Sequence, residues 1–177
     1  MTYKSNADSV LSKLKKKLAE SDKIVTVIAQ SIYASNIRRI HNDGRNTKGA
    51  SIGRYSTKPM YVNPNSSPKK FQPIGKTGRK FFKNGKPHKT KYFPGGYKGF
   101  RSNIGRNTSI VNLQLTGSLL ANFQLKKVPT GYQIGFLSSK KGDIAEGLEK
   151  KYGSQIWGLS QFDRNKTREI IKNWLKK

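Results

Sequence analysis

The residue types that most often carry acid–base, metal or nucleophilic chemistry are scarce in this chain of 177 residues. It has no cysteine, which excludes thiol catalysis, disulfides and cysteine-based zinc sites. It has two histidines, His41 and His88, and nine scattered acidic residues. His41-Asn42-Asp43 could contribute to a metal-dependent nuclease, but such a site needs further ligands. We therefore predict no catalytic residue, no metal and no cofactor.

A second stretch superficially resembles a phosphate-binding loop. Residues 75–80 (GKTGRK) combine glycines with basic side chains. They lack the spacing G-x-x-x-x-G-K-[ST], a preceding buried strand and a following helix, all of which a nucleotide-binding loop requires. We therefore predict no small-molecule substrate.

The strongest feature is positive charge concentrated in the middle of the chain. The sequence has 36 Lys+Arg against 9 Asp+Glu, a formal net charge of +27. Residues 41–108 hold 16 of these basic residues and one acid, Asp43, together with 10 of the 17 glycines and 6 of the 7 prolines. The predicted contact set for nucleic acid or an acidic partner is Lys69, Lys70, Lys76, Arg79, Lys80, Lys83, Lys86, Lys89, Lys91, Lys98, Arg101 and Arg106.

Residues 41–108 have few aliphatic side chains and many aromatic ones, a composition that does not bury a conventional core by itself. We interpret them as a long basic arm or insertion within a single domain of residues 1–177. Cations on a glycine-rich backbone can follow a phosphate chain without reading its sequence. An acidic protein partner and a merely solvated loop remain alternatives.

The N-terminal part predicts a long helix over residues 6–40. Leu11, Leu14 and Leu18 begin an apolar stripe with steps of three and four residues. The stripe packs either on its own domain or, in its N-terminal half, on a neighbouring subunit. Ser21-Asp22 could instead start a second helix.

The C-terminal part predicts strands followed by helices. We predict a strand over residues 110–115 and a turn or cap at 116–118. Residues 119–123 form either one helical turn or the start of the next strand, and a hairpin follows that turns at 129–131 and ends at Phe136. Helices follow over 143–152, ending at Gly153, and over 161–176, starting from a capping box at Ser160 and Asp163. This order of elements indicates the α+β class. The predicted core comprises Leu115, Leu119, Phe123, Ile134, Phe136, Ile170, Ile171, Trp157, Trp174 and Leu175.

Membrane association is not predicted. The chain contains no run of about 18 apolar residues. Residues 1–17 lack the apolar segment of a secretory signal.

The C-terminal half resembles the tailed-bacteriophage neck proteins, a family also described as head–tail joining, virion morphogenesis or tail completion proteins. Residues 111–120 (VNLQLTGSLL) are similar to its strand followed by T-G-x-L, and residues 132–136 (YQIGF) to its hairpin strand. Residues 145–153 (AEGLEKKYG) and 156–160 (IWGLS) are similar to its short helix and aromatic turn. Residues 28–29 and 37–40 resemble parts of its first helix. The long basic middle segment and Ser154-Gln155 depart from the family pattern.

The resemblance implies a structural protein of the virion that forms a homo-oligomeric ring at the head–tail junction. It would be assembled in the cytoplasm of the bacterial host, contact other neck, portal-side and tail proteins, and surround double-stranded DNA without sequence preference. The expected subunit interface comprises Leu11, Leu14, Leu18, Thr116, Gly117 and Trp157. The alternative is a free, sequence-nonspecific nucleic-acid-binding protein of the ribosome- or nucleoid-associated type.

Overall fold

The computed structural model describes residues 6–63, 77–81 and 87–176, with the backbone alone for residues 6–10, 14, 18, 77–81 and 87–89. Its helices and its two small antiparallel sheets confirm the α+β class. The elements in chain order are α1 Asn6–Ala19, α2 Ser21–Ile37, a π-helical turn Arg38–Asn42, β1 Met60–Val62, β2 Thr77–Phe81, β3 Pro87–Phe93, α3 Gly96–Asn103, α4 Ser118–Asn122, β4 Phe123–Val128, β5 Gly131–Phe136, α5 Ser139–Tyr152 and α6 Gln161–Lys176.

The predicted long N-terminal helix is present, and it is broken before Ser21, as the alternative prediction allows, into α1 and α2. α1 ends before Glu20, whose dihedral angles are φ −95° and ψ 2°, and α2 restarts at Ser21. Asp22 lies in the first turn of α2, where a carboxylate favours the positive end of the helix dipole. α2 then runs directly into the π-helical turn, which extends the helical backbone to Asn42.

The predicted hairpin is confirmed. β4 pairs with β5 from Phe123 opposite Phe136 to Val128 opposite Gly131. The predicted turn at residues 116–118 is the start of α4, where Gly117 adopts a left-handed φ of 84° that favours glycine.

The predicted strand over residues 110–115 is wrong. These residues pair with no strand among the described elements, and Leu113 has a positive φ of 54°. Side chains form hydrogen bonds with the N–H and carbonyl groups of this segment that would pair with a neighbouring strand in a β-sheet. The Asn112 N–H donates to the Tyr55 hydroxyl at 3.1 Å, and the Gln114 carbonyl accepts from Arg101 at 2.9 Å. The segment is therefore held by buried polar contacts.

Residues 41–63 and 87–108, which belong to the segment interpreted as a long basic arm or insertion, contain ordered elements and buried side chains. A three-stranded sheet with the order β1-β3-β2 lies in this region. Aromatic rings replace the missing aliphatic side chains, as where Phe93 packs 5.4 Å from Phe100. Two clusters result, one of Ile40, Ile52, Tyr55, Val111 and Ile156, and one of Val62, Phe93, Phe100 and Ile104.

The C-terminal helices are present, with one boundary corrected. α5 begins four residues before the predicted position because Ser138 caps it, and it ends at the predicted Gly153, whose φ is 60°. The capping box of α6 is confirmed, since the Ser160 N–H donates to Asp163 Oδ2 at 2.8 Å and the Asp163 N–H donates to Ser160 Oγ at 3.2 Å.

The predicted core residues on α4 and β4 are buried, whereas two of those predicted on α6 are exposed. Leu119 and Phe123 are buried. Ile171 and Leu175 were expected inside, but they are exposed to 38% and 52%. The other predicted core side chains are partly buried, namely Leu115, Ile134, Phe136, Trp157, Ile170 and Trp174.

Candidate nucleic-acid and protein interfaces

The structure describes seven of the twelve predicted basic contact residues, and one of these seven, Arg101, is buried. Arg79, Lys80 and Lys89 lie on β2 and β3, where the register places Arg79 opposite Lys89. Lys98 is exposed on α3, whereas Lys91 and Arg106 are partly buried. Lys69, Lys70, Lys76, Lys83 and Lys86 lie outside the described residues.

Arg101 was predicted to contact a partner, and this prediction is wrong. Its side chain is 1% exposed. The guanidinium donates to the Asn107 carbonyl at 3.0 Å, to the Gln114 carbonyl at 2.9 Å and to Asn112 Oδ1 at 3.0 Å. It also lies 4.3 Å from the centre of the Tyr55 ring. Carbonyl dipoles and an aromatic face thus solvate this cation, which joins α3 to residues 107–114.

A second buried arginine, Arg39, was not singled out from the sequence. Its guanidinium donates to Asn36 Oδ1 at 2.7 Å and to the carbonyls of Ile156 at 3.0 Å and Gly158 at 3.1 Å. Burial lowers the pKa of Arg39, and the charge of Asp163 opposes that effect. Arg39 therefore ties the π-helical turn to the aromatic turn at residues 156–160. Arg39 is buried and the neighbouring Arg38 is exposed, but nothing in the sequence around this pair indicates which of the two is buried.

The possible nuclease residues do not form an open site. His41 is buried, with Nδ1 donating to the Asn112 carbonyl at 2.8 Å and its ring 6.1 Å from Trp157. Asp43 instead lies at the surface, 4.0 Å from Arg38. In residues 6–63, 77–81 and 87–176, no group of three histidine or acidic side chains is placed to hold a metal ion. We therefore assign His41 a structural role.

The resemblance to a phosphate-binding loop is also not supported by the backbone. Thr77, Gly78, Arg79 and Lys80 belong to strand β2 and pair with β3. A phosphate-binding loop instead wraps its backbone N–H groups around the anion. Gly75 and Lys76 lie outside the described residues.

Burial of His41 predicts acid-sensitive stability. Burial lowers the pKa of His41 in the folded protein, so the unfolded chain takes up a proton first as the pH falls below about 6.5. Protonation of His41 in the unfolded chain then lowers the free energy of unfolding. This loss ends at a pH below the pKa of His41 in the folded protein, where both states are protonated. The urea concentration at the midpoint of unfolding should decrease as the pH is lowered from 7 to 5.

A matched variant isolates this effect. His41→Asn keeps an N–H donor for the Asn112 carbonyl but does not titrate. Its urea midpoint should change less with pH than that of the wild type over the same interval. Parallel pH profiles for the two proteins would contradict the assignment of the acid sensitivity to His41.

The residues expected at a subunit interface lie on several surfaces. Leu11 is 54% exposed on α1, while the side chains of Leu14 and Leu18 lie outside the described part of the structure. Thr116 is exposed next to Gly117 at the start of α4. Trp157 is partly buried, with its ring 4.9 Å from that of Phe136.

An open apolar groove lies between α2 and the β4–β5 hairpin. Its volume is about 540 Å³. Ile28 and Ile32 of α2 form one wall, Ile134 contributes to the opposite wall, and Trp157 contributes to one end. Val25 borders the groove and is 40% exposed. An apolar face of this kind is typical of a protein contact.

Comparisons with known proteins find no match, whether to a family model, a curated protein or a solved structure. Among the residues that the structure describes, no helix is both long enough and apolar enough to cross a membrane.

Proposed function

We propose that this chain is a non-enzymatic structural protein of a tailed-phage virion. Copies assemble into a ring at the head–tail junction, after synthesis in the bacterial cytoplasm, and double-stranded DNA passes through the ring. Other neck, portal-side and tail proteins are its neighbours. The observation that carries the proposal is the open apolar groove, because it lies on the elements that resemble the neck family.

The groove supports assembly of identical copies. It is built from α2, the hairpin and the turn that contains Trp157, whereas the exposed Leu11 lies on α1. A contact between two different surfaces of the same chain is heterologous, and such contacts close into rings when the rotation allows. We therefore place the α1 stripe of one copy against the groove of the next.

The charge supports a polyanion in the channel. The sequence has 36 basic and 9 acidic residues, so basic residues outnumber acidic ones by 27. Arg79 and Lys89 occupy opposed positions of the β2–β3 ladder, where like charges are destabilising. A phosphate chain along this ladder would supply the opposite charge to both positions. Contacts to phosphate alone let DNA slide, since they carry no sequence information.

A charge placed at the mouth of the groove tests the assembly. Val25→Glu should leave the fold intact because Val25 is partly exposed, but it should prevent copies from packing into the groove. We expect light scattering to show a mass at least twofold lower than the wild-type assembly. Gln30→Glu is the matched control, since it adds the same charge to an exposed position of α2 that does not line the groove.

The outcomes separate the two candidate functions. Equal masses for wild type, Val25→Glu and Gln30→Glu would contradict the groove as the assembly contact. A wild-type monomer that coats DNA and is absent from virions would instead favour the free nucleic-acid-binding protein.

A further inference from the structure

A second pocket, distinct from the groove, lies between α3, α5 and residues 113–119. Its volume is about 240 Å³. α5 contributes Lys141, Ile144, Leu148 and Lys151, which recur at the spacing of one helix face. Ile144 is 42% exposed, so the apolar floor of the pocket opens to solvent.

The two ends of this pocket are cationic. Lys141 Nζ donates to Ser118 Oγ at 2.9 Å at one end. Lys151 Nζ lies 5.5 Å from the centre of the Tyr152 ring and 5.9 Å from that of Tyr97 at the other. Ten residues of α5 separate the two lysines, which corresponds to about 15 Å along the helix axis. The buried Arg101 adds a third positive charge to the lining.

We propose that this pocket binds an acidic, extended peptide segment of another protein. Alternate side chains of an extended chain face the same way, and four residues span about 13 Å. A segment Glu-x-Leu-x-Glu therefore directs two carboxylates to the two lysines and an apolar side chain to Ile144 and Leu148. None of the described residues that line the pocket is acidic.

Two other occupants fit less well. Double-stranded DNA offers phosphates but no apolar side chain for the floor. A second copy of this chain supplies few acids, since it has 9 Asp+Glu against 36 Lys+Arg. The proposal does not depend on ring assembly and can hold for a monomer.

The test measures fluorescence anisotropy of a labelled peptide, Gly-Ser-Glu-Thr-Leu-Thr-Glu-Ser-Gly, at about physiological salt, where long-range attraction is screened. The full-length protein should bind it at least tenfold more tightly than the same peptide with both glutamates replaced by glutamine. Replacing the peptide leucine by serine should also weaken binding. Equal binding of the glutamate and glutamine peptides would overturn the proposal.

Matched variants separate this pocket from the general positive charge of the protein. Lys141→Gln with Lys151→Gln should weaken binding about tenfold. Lys140→Gln with Lys150→Gln removes the same charge from exposed positions of α5 that do not line the pocket and should change binding less than twofold. Equal losses in the two double variants would overturn the proposal. Binding of a 20-base-pair DNA duplex is measured with the same two double variants. Loss of duplex binding in Lys141→Gln/Lys151→Gln alone would also overturn the proposal, since the pocket would then be a nucleic-acid site.

Discussion

Arg101→Ala should lower the free energy of unfolding by about 2–4 kcal/mol, because part-buried acceptors that lose their donor cost about 1–3 kcal/mol each. The substitution leaves the part-buried carbonyls of Asn107 and Gln114 without the donor that Arg101 supplies. Asn112 Oδ1 loses one donor but still accepts from the Tyr55 hydroxyl and the Gln114 N–H. Each buried acceptor without a donor costs free energy. The midpoint of urea unfolding measures the effect.

Lys98→Ala is the matched control because it removes a cation from an exposed position of the same helix. It should change the free energy of unfolding by less than about 0.5 kcal/mol. Arg101→Lys should recover little of the loss, since an ammonium does not reproduce the fork that reaches three separate acceptors. Similar unfolding midpoints for Arg101→Ala and Lys98→Ala would contradict the structural role of Arg101.

The affinity of the protein for double-stranded DNA should fall about a thousandfold or more between 50 and 200 mM salt, as expected for at least six phosphate contacts. Two duplexes of unrelated sequence should bind with equal affinity within about twofold, because the contacts proposed here are to phosphates alone. Fluorescence anisotropy at a series of salt concentrations gives both quantities.

The ladder positions Arg79 and Lys89 provide the variant for this measurement. Arg79→Gln with Lys89→Gln should reduce the slope of log K against log salt by about 2, one for each lost phosphate contact. Lys150→Gln is the control, since Lys150 pairs with Glu146 at 2.6 Å on α5. A slope near zero for the wild type, or identical slopes for all three proteins, would contradict phosphate binding by the ladder.

The features that could be predicted from the sequence depend on neighbouring residues. Gly117 and Gly153 mark helix ends because their left-handed φ values favour glycine. Ser160 and Asp163 lie three residues apart and cap α6 through each other. The hairpin follows from a Pro-Thr turn between two alternating segments. Each of these signals lies within a few residues of the structure that it determines.

The features that could not be predicted depend on partners distant in the sequence. Residues 110–115 have the composition of a strand, but Tyr55 and Arg101 bind their backbone and remove the need for a ladder. Arg101 lies in a segment of many exposed cations, and only the fold reveals that it faces carbonyl groups. The β1-β3-β2 sheet was missed because its strands come from a segment rich in glycine and lysine, where packing of Phe93 on Phe100 outweighs local preference.

The mass and shape of the purified wild-type protein, with and without double-stranded DNA, show directly whether the protein assembles into a ring. Light scattering gives the mass, and negative-stain images give the shape. We expect closed rings of defined copy number, formed by the protein alone or together with its neck partners. A protein that remains monomeric with those partners, coats DNA at low salt and releases it at moderate salt would contradict ring assembly.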